Sequence, residues 1–311
     1  MRLDFPIIAA LTANLLIPLF LIARVATARP PTRVEALTIA AGTAAYLVYV
    51  WRAGPIWAWV GHMWPAVFAA LYSGACVVLA LRLRDLPWMP SPPRRGFAMA
   101  VLAFIAIVFV AEVVYFMGAR AHEGEALDLA FPLQNGRFQI TQGGDRRLLN
   151  GHVSNRAQRY GLDIVALNAR GRRAAGLRPD ALDRYVIFGM PVHAPCSGLV
   201  ADVRDGIEDD LARETRTERL AGNHVTLMCG NHTILLAHLM NASLRVAQGE
   251  HVTAGQVVGR VGSSGNSTEP HLHIHAVAGP VADHAALLTS ATGVAMQFDH
   301  RVPIRNDIVE P

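Results

Sequence analysis

The chain has 311 residues, 52% of them hydrophobic, and a mean hydropathy of +0.29. That is too apolar for a soluble enzyme of this length unless the excess is set apart in one region. The formal net charge is +4, with the arginines beside apolar runs, which speaks for membrane topology and against nucleic acid as a partner.

The apolar excess lies in the first 120 residues. Four apolar stretches, 5–23, 36–51, 56–81 and 97–117, each approach the ~20 residues that cross a bilayer as a helix. The second is short and alanine-rich and closes at Gly54-Pro55, so it and the third are expected to form a tight helical hairpin. Trp51, Trp57, Trp59 and Trp64 crowd that hairpin, as aromatics do at a membrane interface. The first connection carries Arg24, Arg29 and Arg33, and the third carries Arg82, Arg84, Arg94 and Arg95. The opposite side has only Arg2, Arg52 and Arg120 near helix ends. The positive-inside rule makes the arginine-rich loops cytoplasmic and both termini extracytoplasmic. A cleaved signal peptide ending near Ala26-Thr27-Ala28 is the competing reading. It is disfavoured because Asp4 and a single Arg2 make a poor positive start, and removal would leave an odd number of spans. Glu112 and His62 fall near span ends and read as interfacial.

Beyond a polar link at 120–127 the pattern changes to short β-branched runs separated by glycines: 137–141, 162–166, 198–203, 223–229, 232–237, 256–261 and 271–276. Closely spaced short strands with glycine turns argue for an antiparallel sandwich or open barrel. Two insertions, the arginine-rich 168–184 and the densely charged 205–220, read as solvated loops flanking a cleft. Cys76 lies in an apolar run and reads as an inert small hydrophobe. Cys196 and Cys229 both fall in the polar half and could pair if that half is extracytoplasmic.

The chemistry concentrates in Glu269-Pro270-His271-Leu272-His273-Ile274-His275. On a strand, side chains repeat every two residues, so the three histidines share one face and form a row able to hold a metal. The glycine-serine turn Gly262–Thr268 delivers the chain into that strand. Before it come two apolar strands around Gly255, and before them Leu235-Leu236-Ala237-His238-Leu239. This series, from about Phe131 to about Ala278, closely resembles the lysostaphin and LytM-type zinc metallopeptidases that cut peptidoglycan peptides.

With the apolar runs read as a four-helix transmembrane region at 1–119 and a linker at 120–130, the resemblance makes the chain multi-domain, ending in a mostly antiparallel β LytM-like peptidase domain at 131–311. It implies a Zn2+ ion held by a histidine, an aspartate and the second histidine of a His-x-His. His273 matches the last of these, and Tyr160-Gly161-Leu162-Asp163-Ile164 offers Asp163. The chain departs from the pattern at the first histidine, whose usual place four residues before the aspartate holds Arg159, a group that stays protonated and cannot ligate zinc. His152 is the nearest upstream candidate if a loop folds it back over Asp163. His238 and His271 match the family's catalytic histidines; either can serve as the base, and the assignment between them stays open. His275 stands where the family commonly has an acidic residue and is expected to support the ligands rather than be one. His224, after a glycine-Asn turn, reads as structural; His193, His232 and His251 read as loop or strand-edge residues.

The expected function is therefore a membrane-anchored zinc endopeptidase acting on peptidoglycan peptides from the extracytoplasmic side of the cytoplasmic membrane. Arg159 keeps a second reading in view, a catalytically inactive LytM-like module that binds the wall or regulates hydrolases. The helices would anchor the chain in the lipid bilayer or bind a partner membrane protein.

Overall fold

The computed structural model describes residues 5–211 and 220–311. Arg2 and residues 212–219 of the charged insertion, both read above, lie outside the described residues. The chain divides into two compact units, Met1–Met117 and Gly118–Pro311.

Among the described residues the first unit has four helices long and apolar enough to cross a membrane: Phe5–Thr27, Arg33–Ala53, Trp64–Arg82 and Arg94–Arg120, the last running past the unit's edge. Thr32 caps the second, its hydroxyl accepting from Glu35 N–H. The expected third stretch is split: a single turn at Trp57–Val60 stops at Gly61, whose φ of +124° no helix tolerates, and Trp64–Arg82 restarts with Pro65 in its first turn. Half-buried tyrosines tie the helices through their hydroxyls, Tyr46 donating to Ala13 O and Tyr72 to Ala40 O. Many large side chains here, such as Phe20, Phe104, Ile107 and Val110, are exposed.

The second unit is built on strands β1 (Leu127–Asp128), β2 (Arg137–Gln142), β3 (Leu162–Leu167), β4 (Pro191–His193), β5 (Gly198–Arg204), β6 (Asn223–Cys229), β7 (His232–Leu239), β8 (His251–Val252), β9 (Val257–Arg260), β10 (Leu272–Ala278), β11 (Gly293–Val294), β12 (Met296–Gln297) and β13 (Ile308–Val309). Nine form one antiparallel sheet in the order β13-β2-β3-β10-β7-β6-β5-β8, with β11 also on β10. β4 pairs with β9, and β1 pairs parallel with β12, so the stretch read as a linker is folded into this unit.

Alternation decides which face each residue takes. Ile140, Ile164, Val225, Leu227, Ile234, Leu236, Leu272 and Ile274 turn to one side and, with Val192 and Val258 of the β4–β9 ribbon, make the main core. Of the two expected forms, sandwich and open barrel, a sheet covered on this face by a ribbon is nearer the sandwich. Cys196 and Cys229 are joined by a disulfide. The opposite face is covered in part by the short helix His284–Thr289, whose Leu287 and Leu288 pack with Leu235, Ala237 and Val277.

Candidate metal centre

The second face is where the histidines gather. In the register of the sheet His273 lies opposite Asp163 on β3 and opposite Ala237 on β7, so pairing alone brings the carboxylate beside the imidazole. His273 Nδ1 stands 2.8 Å from Asp163 Oδ1.

His152 arrives by a loop. The turn Gly151–Ser154 is begun by Asn150, whose side-chain oxygen accepts from His152 N–H. The Asn150 amide, fully buried, reaches the carbonyls of Gly144, Arg159 and Gly161 at 3.0–3.2 Å. One side chain thus staples the loop to the start of β3 and sets His152 Nε2 3.1 Å from both Asp163 oxygens. Arg159 is turned elsewhere, its guanidinium on Asp145 at 2.9 Å and Glu123 at 3.1 Å. His152, Asp163 and His273 present donor atoms that all lie within 4.8 Å of one another.

The tautomers follow from fixed carbonyls. His275 Nε2 lies 3.0 Å from Leu287 O, so that nitrogen carries the proton and donates. Burial, with His273 beside it, holds the His275 imidazole well below its usual pKa, so the ring is neutral and its Nδ1 accepts. His273 Nε2–H therefore donates to it at 2.9 Å. Burial also lowers the His273 pKa, which leaves Nδ1 of the neutral ring as a bare lone pair aimed at a carboxylate oxygen. Two acceptors facing each other at 2.8 Å is the arrangement a cation resolves. Two imidazoles and one carboxylate are the donor set of a catalytic zinc site, and the residues present fit that ion. His275 and Leu287 O supply the outer hydrogen bonds that orient such ligands.

Electrostatics agree with a deprotonated carboxylate. Burial alone would raise the Asp163 pKa, but the positive charges that His152 and His271 carry when protonated, together with the His152 hydrogen bond, hold it well below the usual carboxylate range. For His152, burial would lower the pKa, yet the Asp163 charge and hydrogen bond outweigh it and raise it.

Two more histidines face the cluster. His271 Nδ1 donates to Glu269 O at 2.9 Å, so its Nε2 is directed at Asp163, 3.7 Å away. His238 Nδ1 donates to Ser264 O at 2.9 Å, which likewise frees its Nε2. The His238 and His271 rings lie 4.7 Å apart. His238 has φ of +61°, a backbone geometry uncommon outside glycine and asparagine that proteins keep at functional sites. Burial, then His271 and His273, hold its pKa well below the ordinary value, so it is neutral. The turn before His271 is anchored by Ser264, which accepts from Asn223 N–H and donates to Leu239 O.

The insertion 168–184 is not simply a solvated loop. Arg173 within it is 3% exposed and grips Glu269 through two hydrogen bonds of 2.7 and 2.5 Å. Since Glu269 O receives His271, the arginine holds the start of the histidine strand. Nothing in the local pattern of this arginine-rich stretch separates Arg173 from its exposed neighbours. A cavity of about 510 Å³, lined by Phe131, Phe298 and Arg301 among others, contains none of these histidines.

The open face of the antiparallel sheet thus gathers two imidazoles and a carboxylate, with two further histidines beside them. Residues 180–282, within the C-terminal unit, match the model of Peptidase family M23. The matched segment holds His238, His271 and His273; it starts after His152 and Asp163. Over 86 residues the chain is 35% identical to peptidoglycan DD-endopeptidase ShyA of Vibrio cholerae serotype O1, covering 28% of this chain and 18% of that protein. The chain therefore spans about a fifth of that relative's length. Among solved structures it is similar to the catalytic domain of the antimicrobial peptidase lysostaphin from Staphylococcus simulans, at 25% identity over 39% of this chain and 68% of that one, with a TM-score of 0.26. It is also similar to a zinc-containing peptidase from Vibrio cholerae, at 20% identity over 55% and 39%, with a TM-score of 0.32.

Proposed function

We propose that the chain is a membrane-anchored zinc metalloendopeptidase that hydrolyses peptide bonds of peptidoglycan on the extracytoplasmic side of the cytoplasmic membrane. The observation that carries this reading is the bare Nδ1 of His273 facing Asp163, with His152 folded back to complete three donors.

His152, Asp163 and His273 would hold the ion through Nε2, a carboxylate oxygen and Nδ1. Zinc, when bound, supplies a Lewis acid that activates water for attack on a peptide carbonyl. His271 and His238 each present a free Nε2 toward the same point. One takes the proton from the attacking water on its free Nε2 and passes it to the departing amine, while the other, carrying a second proton on Nε2 as imidazolium, donates to the oxygen that gains charge. A peptide bond is thereby cut with the water's elements shared between the two ends. Four helices with apolar side chains on their outer surfaces support bilayer anchoring, and the arginine distribution supports an extracytoplasmic catalytic unit.

The test uses the full chain purified in detergent, with its zinc content and its cleavage of peptides from purified cell-wall sacculi measured together. His152→Ala and Asp163→Ala are expected to lose the zinc of this site and all cleavage. If both variants keep the zinc and the activity of the wild type, the ligand set is wrong. If the wild type carries no zinc at this site and cuts nothing, the inactive wall-binding module replaces the enzyme.

A further inference from the structure

A second group on the same face of the sheet shares the geometry of the first. Asp202 on β5, His224 on β6 and His284 at the start of the short helix bring one donor atom each to within 4.8 Å of the others. Alternation puts His224 on the face away from the main core, and the bulge between Val200 and Asp202 turns the aspartate to that face as well.

His224 is 1% exposed. Its Nδ1 lies 2.9 Å from Gly222 O, so that nitrogen must donate. In the neutral ring Nε2 is then a lone pair, and it faces Asp202 Oδ2 at 3.2 Å. This is the acceptor-to-acceptor contact seen between His273 and Asp163. A proton on Nε2 would satisfy it without any third group. The third group is nevertheless present: the His284 ring stacks on His224 with centroids 4.5 Å apart and planes 14° from parallel, and neither of its nitrogens is hydrogen-bonded among the described residues. A proton on His224 Nε2 leaves the His284 nitrogens unused, whereas a metal ion can take one of them as a third ligand beside Asp202 and His224.

We propose that Asp202, His224 and His284 form a second zinc site, distinct from the catalytic cluster. Two imidazoles and a carboxylate suit a zinc-class transition metal over calcium or magnesium. The group is reached from solvent on both sides: His224 and His284 line a cavity of about 220 Å³, and Asp202 and His284 line another of about 190 Å³, so water can complete the coordination. The two sites are separated by three strand spacings, about 14 Å. The helix His284–Thr289 joins them, because its Leu287 carbonyl is the group that fixes His275. An ion at the second site pins that helix to β5 and β6.

The site is tested on the full chain in detergent, stripped with chelator, reloaded with zinc chloride, and assayed for zinc per chain by mass spectrometry. The expected values are two for the wild type, one each for His284→Ala, Asp202→Asn and Asp163→Ala, and none for the Asp163→Ala/His284→Ala double variant. The zinc kept by each single variant shows that its unit is folded. The proposal is overturned if His284→Ala and Asp202→Asn bind as much zinc as the wild type, or if both lose every zinc atom that Asp163→Ala loses. A wild type with one zinc, kept by Asp163→Ala and lost by His284→Ala, would support the second site while removing the peptidase reading.

Discussion

The two faces of the central sheet are made by the same strands and serve opposite ends. On β10, Leu272, Ile274 and Ala276 enter the apolar core, while His273 and His275 point the other way into a polar network. On β7 the split is between Ile234 and Leu236 on one side and Leu235 and Ala237 on the other. The core face stabilises by removing apolar area from water. The histidine face holds buried polar groups, which are costly unless hydrogen-bonded, and His238, His273 and His275 each find such a partner. A period of two lets one strand carry stability and chemistry without either intruding on the other. Substitutions on the two faces should therefore separate function from folding.

The largest effect is expected at His271. Its Nε2 faces the cluster, yet the proposed ligands His152, Asp163 and His273 make three without it. His271→Ala should keep zinc at the wild-type level and lower kcat by about 10²- to 10⁴-fold, the usual contribution of a general acid or base. Zinc analysis beside steady-state cleavage of wall peptides checks this. Loss of zinc along with activity would move His271 into the ligand set.

Next comes His275, which acts through His273. His275→Ala removes the acceptor that holds the His273 Nε2–H and cuts the link to Leu287 O. Losing an outer hydrogen bond of this kind typically weakens metal affinity by about 10- to 100-fold, measurable by competition with a chelator of known strength. Unchanged affinity would show that strand pairing alone orients His273.

How much of this was legible beforehand depended on whether the information was local. The histidine row follows from a spacing of two, and its placement beside Asp163 follows once β3 and β10 pair. The Cys196–Cys229 bond joins residues that the sequence set in one polar half. His152 required a loop whose closure rests on one buried asparagine touching three carbonyls, and no spacing announces such a staple. Arg173 was hidden by its arginine-rich surroundings, since burial is set by the distant Glu269. Asp202, His224 and His284 are brought together by strand pairing and by a helix that follows another strand, so no motif unites them. The expected unbroken third helix failed at Gly61, where one positive φ outweighed a continuous apolar run.

The comparison sharpens with pH. The Asp163 carboxylate raises the His152 pKa, so the metal-free ring keeps its proton to a higher pH than a free imidazole. Zinc must displace that proton. Above the raised pKa the affinity should be level; below it, affinity should fall about tenfold per pH unit for each proton displaced. Zinc titrations across the neutral range, with proton release followed in weak buffer, measure both. An affinity independent of pH through the His152 titration would mean that His152 is not a ligand.

The smallest effect belongs to the core face and is the cleanest control. Ile274 sits between His273 and His275 in sequence but is fully buried in the core on the other side. Ile274→Val removes one methylene with little change of shape and should cost about 1 kcal/mol of stability. Because alternation separates this side chain from the histidines, zinc affinity and kcat should stay at wild-type values while the unfolding midpoint in denaturant shifts down. If the substitution instead weakened zinc binding as much as His275→Ala, the two faces would be coupled through the backbone of β10, and the division of labour along this strand would have to be abandoned.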